Sequence, residues 1–283
     1  MCQHLFDWCL CLFLPQKGDR LKQTIKAIFL DIDGTLITTQ KAVSKNVTTE
    51  IQRVQSVYKT PMYYISARMP KGINTVGSQL KLNELIIAYT GAIIMDGKNI
   101  IRESHITSDI SARIIKEVTD ANIEYVGLYS YDSWYVNGDN YWTQREILGT
   151  KVEPDGMDIK GFTPGNIHKI MLRDTPEKIS VIDEQLRAHG QVNVFKTRDT
   201  TLEIFDTSCS KAVSVKFMSE HFNIPLESMM AIGDSEGDKE MIQTVGYGIA
   251  MGNAEESIKE IAFDVTTSND EDGVAQALKK YFP

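Results

Sequence analysis

Cysteine is scarce in this chain of 283 residues: there are four, at Cys2, Cys9, Cys11 and Cys209, three of them within the first eleven positions. No disulfide framework and no zinc-ligand spacing can be built from that set, so a reduced, cytoplasmic setting is expected. Long apolar runs are also missing. The nearest candidate, residues 5–14, is too short to span a bilayer. It lacks the basic start and small-residue cleavage site of a signal peptide. Positive charge is in deficit: 30 Lys and Arg stand against 38 Asp and Glu, a formal net charge of −8. That balance argues against bulk binding of nucleic acid or of an anionic membrane. An anionic ligand has to be captured by a few local cations.

Compositional bias is absent as well. With 42% apolar and 24% charged residues, the chain reads as an ordinary globular protein, long enough for one large domain or two moderate ones. Residues 1–25 read as a poorly ordered extension detached from the fold. From Lys26 onward, short apolar runs alternate with amphipathic stretches, the pattern of βα units and a parallel sheet. Ala27-Ile28-Phe29-Leu30 reads as a strand buried on both faces, since it shows no alternation. Val47, Ile51, Val54 and Tyr58 keep helical spacing, and strands are expected at residues 62–65 and 85–88.

After Gly91 the texture changes. Residues 92–95 and 99–102 flank Asp96-Gly97, a hairpin signal. Residues 124–129 and 134–136 alternate as half-buried strands would. Residues 152–165 read as loop, 167–172 as a strand, and Thr175-Pro176 starts a helix that Gly190 stops. From Val192 the α/β rhythm returns. The expected architecture is α/β: a Rossmann-like parallel-sheet core over residues 26–90 and 196–283, with an inserted α+β cap over residues 91–195.

Four polar groups fall at or just past expected strand ends, where open parallel sheets collect ligands. They are Asp31 with Asp33, Ser66, Lys211, and Asp234 with Asp238. Each has a plain reading. Asp31-Ile32-Asp33-Gly34 fits a solvated turn, Ser66 a helix cap, Lys211 a surface cation, and Asp234/Asp238 a helix start favoured by the macrodipole. Together they form the kit of phosphoryl transfer through a carboxylate: nucleophile, hydroxyl donor, lysine, and a second carboxylate pair for a hard divalent metal.

In those segments the chain resembles the haloacid dehalogenase superfamily, specifically its Cof-type phosphatases with a large α/β cap between the second and third motifs. The likeness runs from about Lys26 to the end. Its motifs stand in order as Asp31-Ile32-Asp33-Gly34-Thr35-Leu36, Ser66-Ala67-Arg68, Ser210-Lys211-Ala212 and Gly233-Asp234-Ser235-Glu236-Gly237-Asp238. Ile249-Ala250-Met251-Gly252-Asn253-Ala254 and Asn269-Asp270-Glu271-Asp272-Gly273-Val274 resemble the carboxy-terminal segments of the same group.

The resemblance implies a magnesium-dependent (Mg2+) phosphatase acting on a small phosphorylated metabolite, a sugar phosphate or a phosphorylated cofactor. No nucleic-acid or membrane partner is implied, and monomer and homodimer stay open. Asp31 would be the nucleophile and a ligand of the metal. Asp33 would protonate the leaving oxygen, later deprotonate the attacking water, and lend its backbone carbonyl to the metal. Ser66, Lys211 and the backbone N–H of Ile32 would grip phosphate. Asp234 would ligate the metal directly and Asp238 through water. Ala67, Ala212 and Gly237 depart from the Gly, Gly and Asn usual at their positions, and Thr90 stands where Asn is usual. Two other readings remain: a sugar phosphomutase or phosphotransferase, and a module that binds phosphometabolites without turning them over.

In the insertion, the run from Tyr129 to Tyr135 fits a ring-binding pocket, cap core or a dimer surface. Arg145 and Lys169 are expected to be solvated, and His168 to be structural.

Overall fold

A computed structural model describes residues 24–80, 85–159 and 165–283. The expected extension lies outside the described residues up to position 23. Ile25, assigned to that extension, is 5% exposed and packs in the core.

The first core segment runs β1 (Ala27–Leu30), α1 (Lys45–Tyr58), β2 (Met62–Ile65), α2 (Pro70–Leu80), β3 (Leu85–Ala88), β4 (Ile93–Asp96) and β5 (Asn99–Glu103). The insertion follows as α3 (Ser108–Asp120), β6 (Tyr125–Ser130), β7 (Ser133–Val136), α4 (Tyr141–Thr150), β8 (Lys169–Arg173), α5 (Pro176–His189), β9 (Val192–Arg198) and β10 (Thr201–Asp206). The chain closes with α6 (Lys211–Phe222), β11 (Met229–Gly233), α7 (Lys239–Thr244), β12 (Tyr247–Ala250), α8 (Glu256–Lys259), β13 (Asp264–Val265) and α9 (Gly273–Tyr281).

Eight strands form the core sheet in the order β13-β12-β11-β1-β2-β3-β4-β5. β13 through β3 are parallel, and β4 and β5 extend that edge antiparallel. β1 lies between β11 and β2, where the chain reverses its direction across the sheet, the place such sheets use for ligands. Its side chains alternate between two helical layers. Ile28 and Leu30 pack with Val47, Ile51 and Leu278, while Ala27 and Phe29 pack with Val215, Met218 and Met241. Both faces are covered, which is why the sequence of β1 shows no polar alternation.

The second sheet is antiparallel, in the order β7-β6-β8-β10-β9. β6 is buried on both faces, against the expectation of a half-solvated strand. Val126 and Leu128 lie beneath α3 and α5 with Ile114 and Ile182, whereas Tyr125 and Tyr129 join the core cluster containing Tyr64 and Tyr89. The alternation in its sequence separates two buried faces, one aliphatic and one aromatic.

The expected limits of the insertion, 91 and 195, do not follow the sheets. β4 and β5 belong to the core sheet, and β9 and β10 to the insertion's sheet. A hairpin pattern reads the same whichever sheet receives it, so periodicity leaves membership open. α4 has no counterpart in the expected elements; Thr143 is its one buried residue, so it carries little apolar stripe. Among the described residues no helix is long and apolar enough to cross a membrane.

Candidate active site

The chain leaves β1 with Asp31, whose N–H donates to the Ile232 carbonyl at 3.1 Å. It then curls into a tight loop in which the Ile32 carbonyl accepts from the N–H groups of Thr35, Leu36 and Ile37 at 3.4, 3.0 and 3.1 Å. Gly34 has φ +82° at the crest, a conformation that penalises any Cβ. The loop is braced from the far end of the sequence. Asn253 donates to the Gly34 carbonyl at 2.9 Å, and Asn269 donates to that of Ile37 at 2.9 Å.

Asp31 is 5% exposed and meets Lys211, itself 5% exposed, at 2.5 Å. The same ammonium donates to Asp238 Oδ1 at 2.6 Å. Lys211 opens α6, where the Ser210 side chain caps the helix by accepting from Val213 N–H. Asp238 is fully buried, and its Oδ2 accepts from the N–H groups of Asp234 and Ser235 at 3.2 and 3.0 Å and from Ser235 Oγ at 2.7 Å. Asp234 follows β11. Its Oδ1 accepts from Thr35 Oγ1 at 3.0 Å and its Oδ2 from Asn253 at 3.3 Å. One carboxylate oxygen each from Asp31, Asp234 and Asp238 lie within 4.8 Å of one another.

Lys211 pairs with two of these three neighbouring carboxylates, so negative charge is in excess. Burial pushes the Asp31 carboxyl well above its ordinary range; Lys211 works against this, and Asp238 and Asp234 add repulsion. Asp234 is raised to about 6 by burial first and by Asp238 second. Lys211 shifts up: burial opposes its charge, but Asp238 and Asp31 outweigh burial. A divalent cation bound by these oxygens relieves that excess, and an all-oxygen carboxylate set is the chemistry hard cations prefer.

Asp33 turns away from this cluster. Burial works to raise its carboxyl, but Arg68 at 2.6 and 2.8 Å and Lys41 at 2.8 Å hold it below the usual carboxylate range. Ser66, buried at the end of β2, accepts from Arg68 N–H at 3.2 Å, which leaves its hydroxyl proton free to donate. Asp31, Lys211, Asp234 and Asp238 therefore touch in one network. Asp33 and Ser66 are joined to each other through Arg68. Ile32 lies between Asp31 and Asp33, with its side chain fully buried.

Arg68, Thr35 and Asn253 stood inside the quoted motifs without a role, and Lys41 carried no signal at all. Lys169, expected in solvent, is buried and paired with Glu203 at 3.0 Å. Arg145 is exposed and donates to the Tyr141 hydroxyl at 2.9 Å. His168 is enclosed: Nδ1 accepts from Tyr131 N–H, and Nε2 lies 3.2 Å from Glu103. Tyr129 and Trp134 stack in the core cluster with centroids 5.9 Å apart.

The wider likeness of the chain agrees with this architecture. A sequence profile of haloacid dehalogenase-like hydrolases matches residues 28–278. A Haemophilus influenzae protein is 32% identical over 267 residues, spanning 91% of this chain and 98% of its own length. The 5-amino-6-(5-phospho-D-ribitylamino)uracil phosphatase YitU of Bacillus subtilis is 27% identical over 274 residues, spanning 90% and 97%. Among solved structures, a haloacid dehalogenase-like hydrolase from Bacteroides thetaiotaomicron matches with a TM-score of 0.84 at 27% identity, over 92% of this chain and 100% of that one. A TM-score that high over nearly the whole length includes the insertion as well as the core. The chain belongs to the haloacid dehalogenase-like hydrolases, and within them to the Cof-type phosphatases.

Proposed function

We propose that the protein hydrolyses small phosphomonoesters in a magnesium-dependent reaction, through a phosphoryl group carried on Asp31. The observation that supports this most is the buried Asp31–Lys211–Asp238 network beside Asp234. It unites a carboxylate nucleophile, a cation for phosphate oxygens and a carboxylate set suited to a dication.

Magnesium held by Asp31, Asp234 and the Asp33 carbonyl, with Asp238 behind them, would neutralise the charge between nucleophile and phosphate. Asp31 attacks phosphorus and the ester oxygen departs. Asp33, once it is drawn from Arg68 and Lys41 and carries a proton, supplies that proton to the oxygen and later takes one from the water that releases phosphate. Lys211, the Ser66 hydroxyl and the Ile32 N–H contact the equatorial oxygens, on which charge spreads in the transition state. The insertion, which meets the loop after β2 through Lys169 and Tyr89 through its β6–β7 turn, would help to exclude water from the site.

For the substrate, sugar phosphates and phosphorylated cofactors fit this reading. The name of YitU describes a phosphorylated ribityl chain on a uracil ring, a small phosphomonoester. Phosphate release over a metabolite panel, with and without magnesium, tests the proposal. Turnover is expected only with the metal, and Asp31→Asn is expected to abolish it; activity retained in Asp31→Asn overturns the assignment.

A further inference from the structure

Lys169 carries the insertion to the loop after β2. It opens β8 and is 3% exposed. Its ammonium donates to the Ala67 carbonyl at 2.9 Å and to Glu203 Oε1 at 3.0 Å, and it stands 4.5 Å from the centroid of the Tyr129 ring. Two hydrogen bonds and one aromatic face use all three of its N–H groups.

Ala67 lies between Ser66 and Arg68. On one side is the hydroxyl proposed to contact phosphate, and on the other the guanidinium that holds Asp33. Pinning the Ala67 carbonyl orients the one planar unit it shares with the Arg68 N–H, and that N–H donates to the Ser66 hydroxyl oxygen at 3.2 Å. The insertion is seated close by through its β6–β7 turn. Asp132 accepts from Lys71 N–H at 2.7 Å, and the Tyr131 carbonyl accepts from the Tyr89 hydroxyl at 2.7 Å. Of these contacts, Lys169 is the one that lands on the Ser66–Arg68 loop. A buried Lys–Glu pair adds little net stability, since desolvation offsets its attraction.

We infer that Lys169 is a positioning residue: it couples the seating of the insertion to the geometry of residues 66–68, and so to the grip on phosphate. The inference rests on the proposed role of Ser66. Its bond to Ala67 serves the reaction without touching the reacting atoms.

Lys169→Met alone would leave Glu203 buried without its partner, so the deciding variant is K169M/E203M, which removes both charges. It is expected to keep the wild-type circular dichroism and melting temperature. KM for p-nitrophenyl phosphate and Ki for inorganic phosphate should both rise about three- to tenfold, the worth of one hydrogen bond. Lys169→Arg, which keeps its donors, should fall nearer to wild type. Glu203→Gln, which keeps the Ala67 bond, should leave the phosphate Ki unchanged. A folded K169M/E203M with wild-type KM and Ki overturns the inference.

Hydrogen exchange on the wild-type protein needs no variant. Inorganic phosphate with magnesium should slow exchange at residues 66–68 and 131–132 together, and slowing at 66–68 alone overturns the coupling. If the wild type released no phosphate from any ester, the proposed function would fall. The thermal shift produced by inorganic phosphate would then decide Lys169 by itself: a smaller shift in K169M/E203M supports its role, and an equal shift overturns it.

Discussion

A Cβ placed on Gly34 would lie 2.2 Å from Oδ2 of Asp234, a separation that real atoms do not tolerate. The crest of the first loop is therefore fitted to the carboxylate that follows β11, across some 200 residues of sequence. Gly34→Ala should push Asp234 aside and also strain a backbone at φ +82°. Activity is expected to fall by about a hundredfold or more, the scale of a misplaced catalytic group. Magnesium affinity, followed by calorimetry, should weaken in parallel. Wild-type affinity in a folded Gly34→Ala would show that Asp234 does not bind the ion.

Lys211 pairs with two buried carboxylates at once, at 2.5 and 2.6 Å. Lys211→Met leaves Asp31 and Asp238 buried without a counter-charge. Stability in chelator should drop by about 3–5 kcal/mol, the cost of breaking a buried pair from one side. Magnesium should restore part of that loss by replacing the missing charge, whereas the wild type gains less from the ion. Thermal melts with chelator and with magnesium make the comparison.

His168 gives the stability a pH signature away from the catalytic groups. Burial lowers its pKa from the ordinary 6.5; Glu103 opposes this shift, and His105 adds slightly to it. Well above 6.5 the imidazole is neutral in both folded and unfolded chains, so it contributes no pH dependence there. Below 6.5 the unfolded chain takes up a proton that the folded chain refuses, and stability falls with pH until the lowered folded value is passed. Glu103, held below its ordinary 4.5 by Tyr131, His168 and Asn166 although burial opposes them, acts only at more acidic pH. The raised carboxyls of Asp31 and Asp234 act in the opposite sense over the same range, so the His168 contribution is read as a difference between denaturant midpoints: as pH falls just below 6.5, His168→Gln should lose less stability, or gain more, than the wild type. An unchanged slope in the variant would refute the assignment.

Much of the core was legible because its signals are local. An unbroken apolar run announced β1, and acidic pairs at strand ends announced the loops that converge. What stayed hidden depends on partners distant in the chain. Lys169 looks like any solvated lysine until Glu203 and Ala67 are brought to it. Arg68 stood in a recognised motif, but its bidentate hold on Asp33 exists only once β1 and β2 are paired. Sheet membership was likewise unreadable. The hairpin of β4 and β5 has the same alternation on the core edge as it would have in the insertion.

The most direct test of the central claim uses Asp33→Asn with p-nitrophenyl phosphate and magnesium. Nitrophenolate leaves without an acid, so Asp31 should still be phosphorylated, while hydrolysis stalls for lack of a base. A burst of nitrophenolate equal to the enzyme concentration is expected. Borohydride reduction of the quenched protein should then convert the acyl phosphate at position 31 to homoserine, read by peptide mass spectrometry. Modification at a different residue, or a missing burst with position 31 unmodified in a folded variant, would contradict Asp31 as the nucleophile.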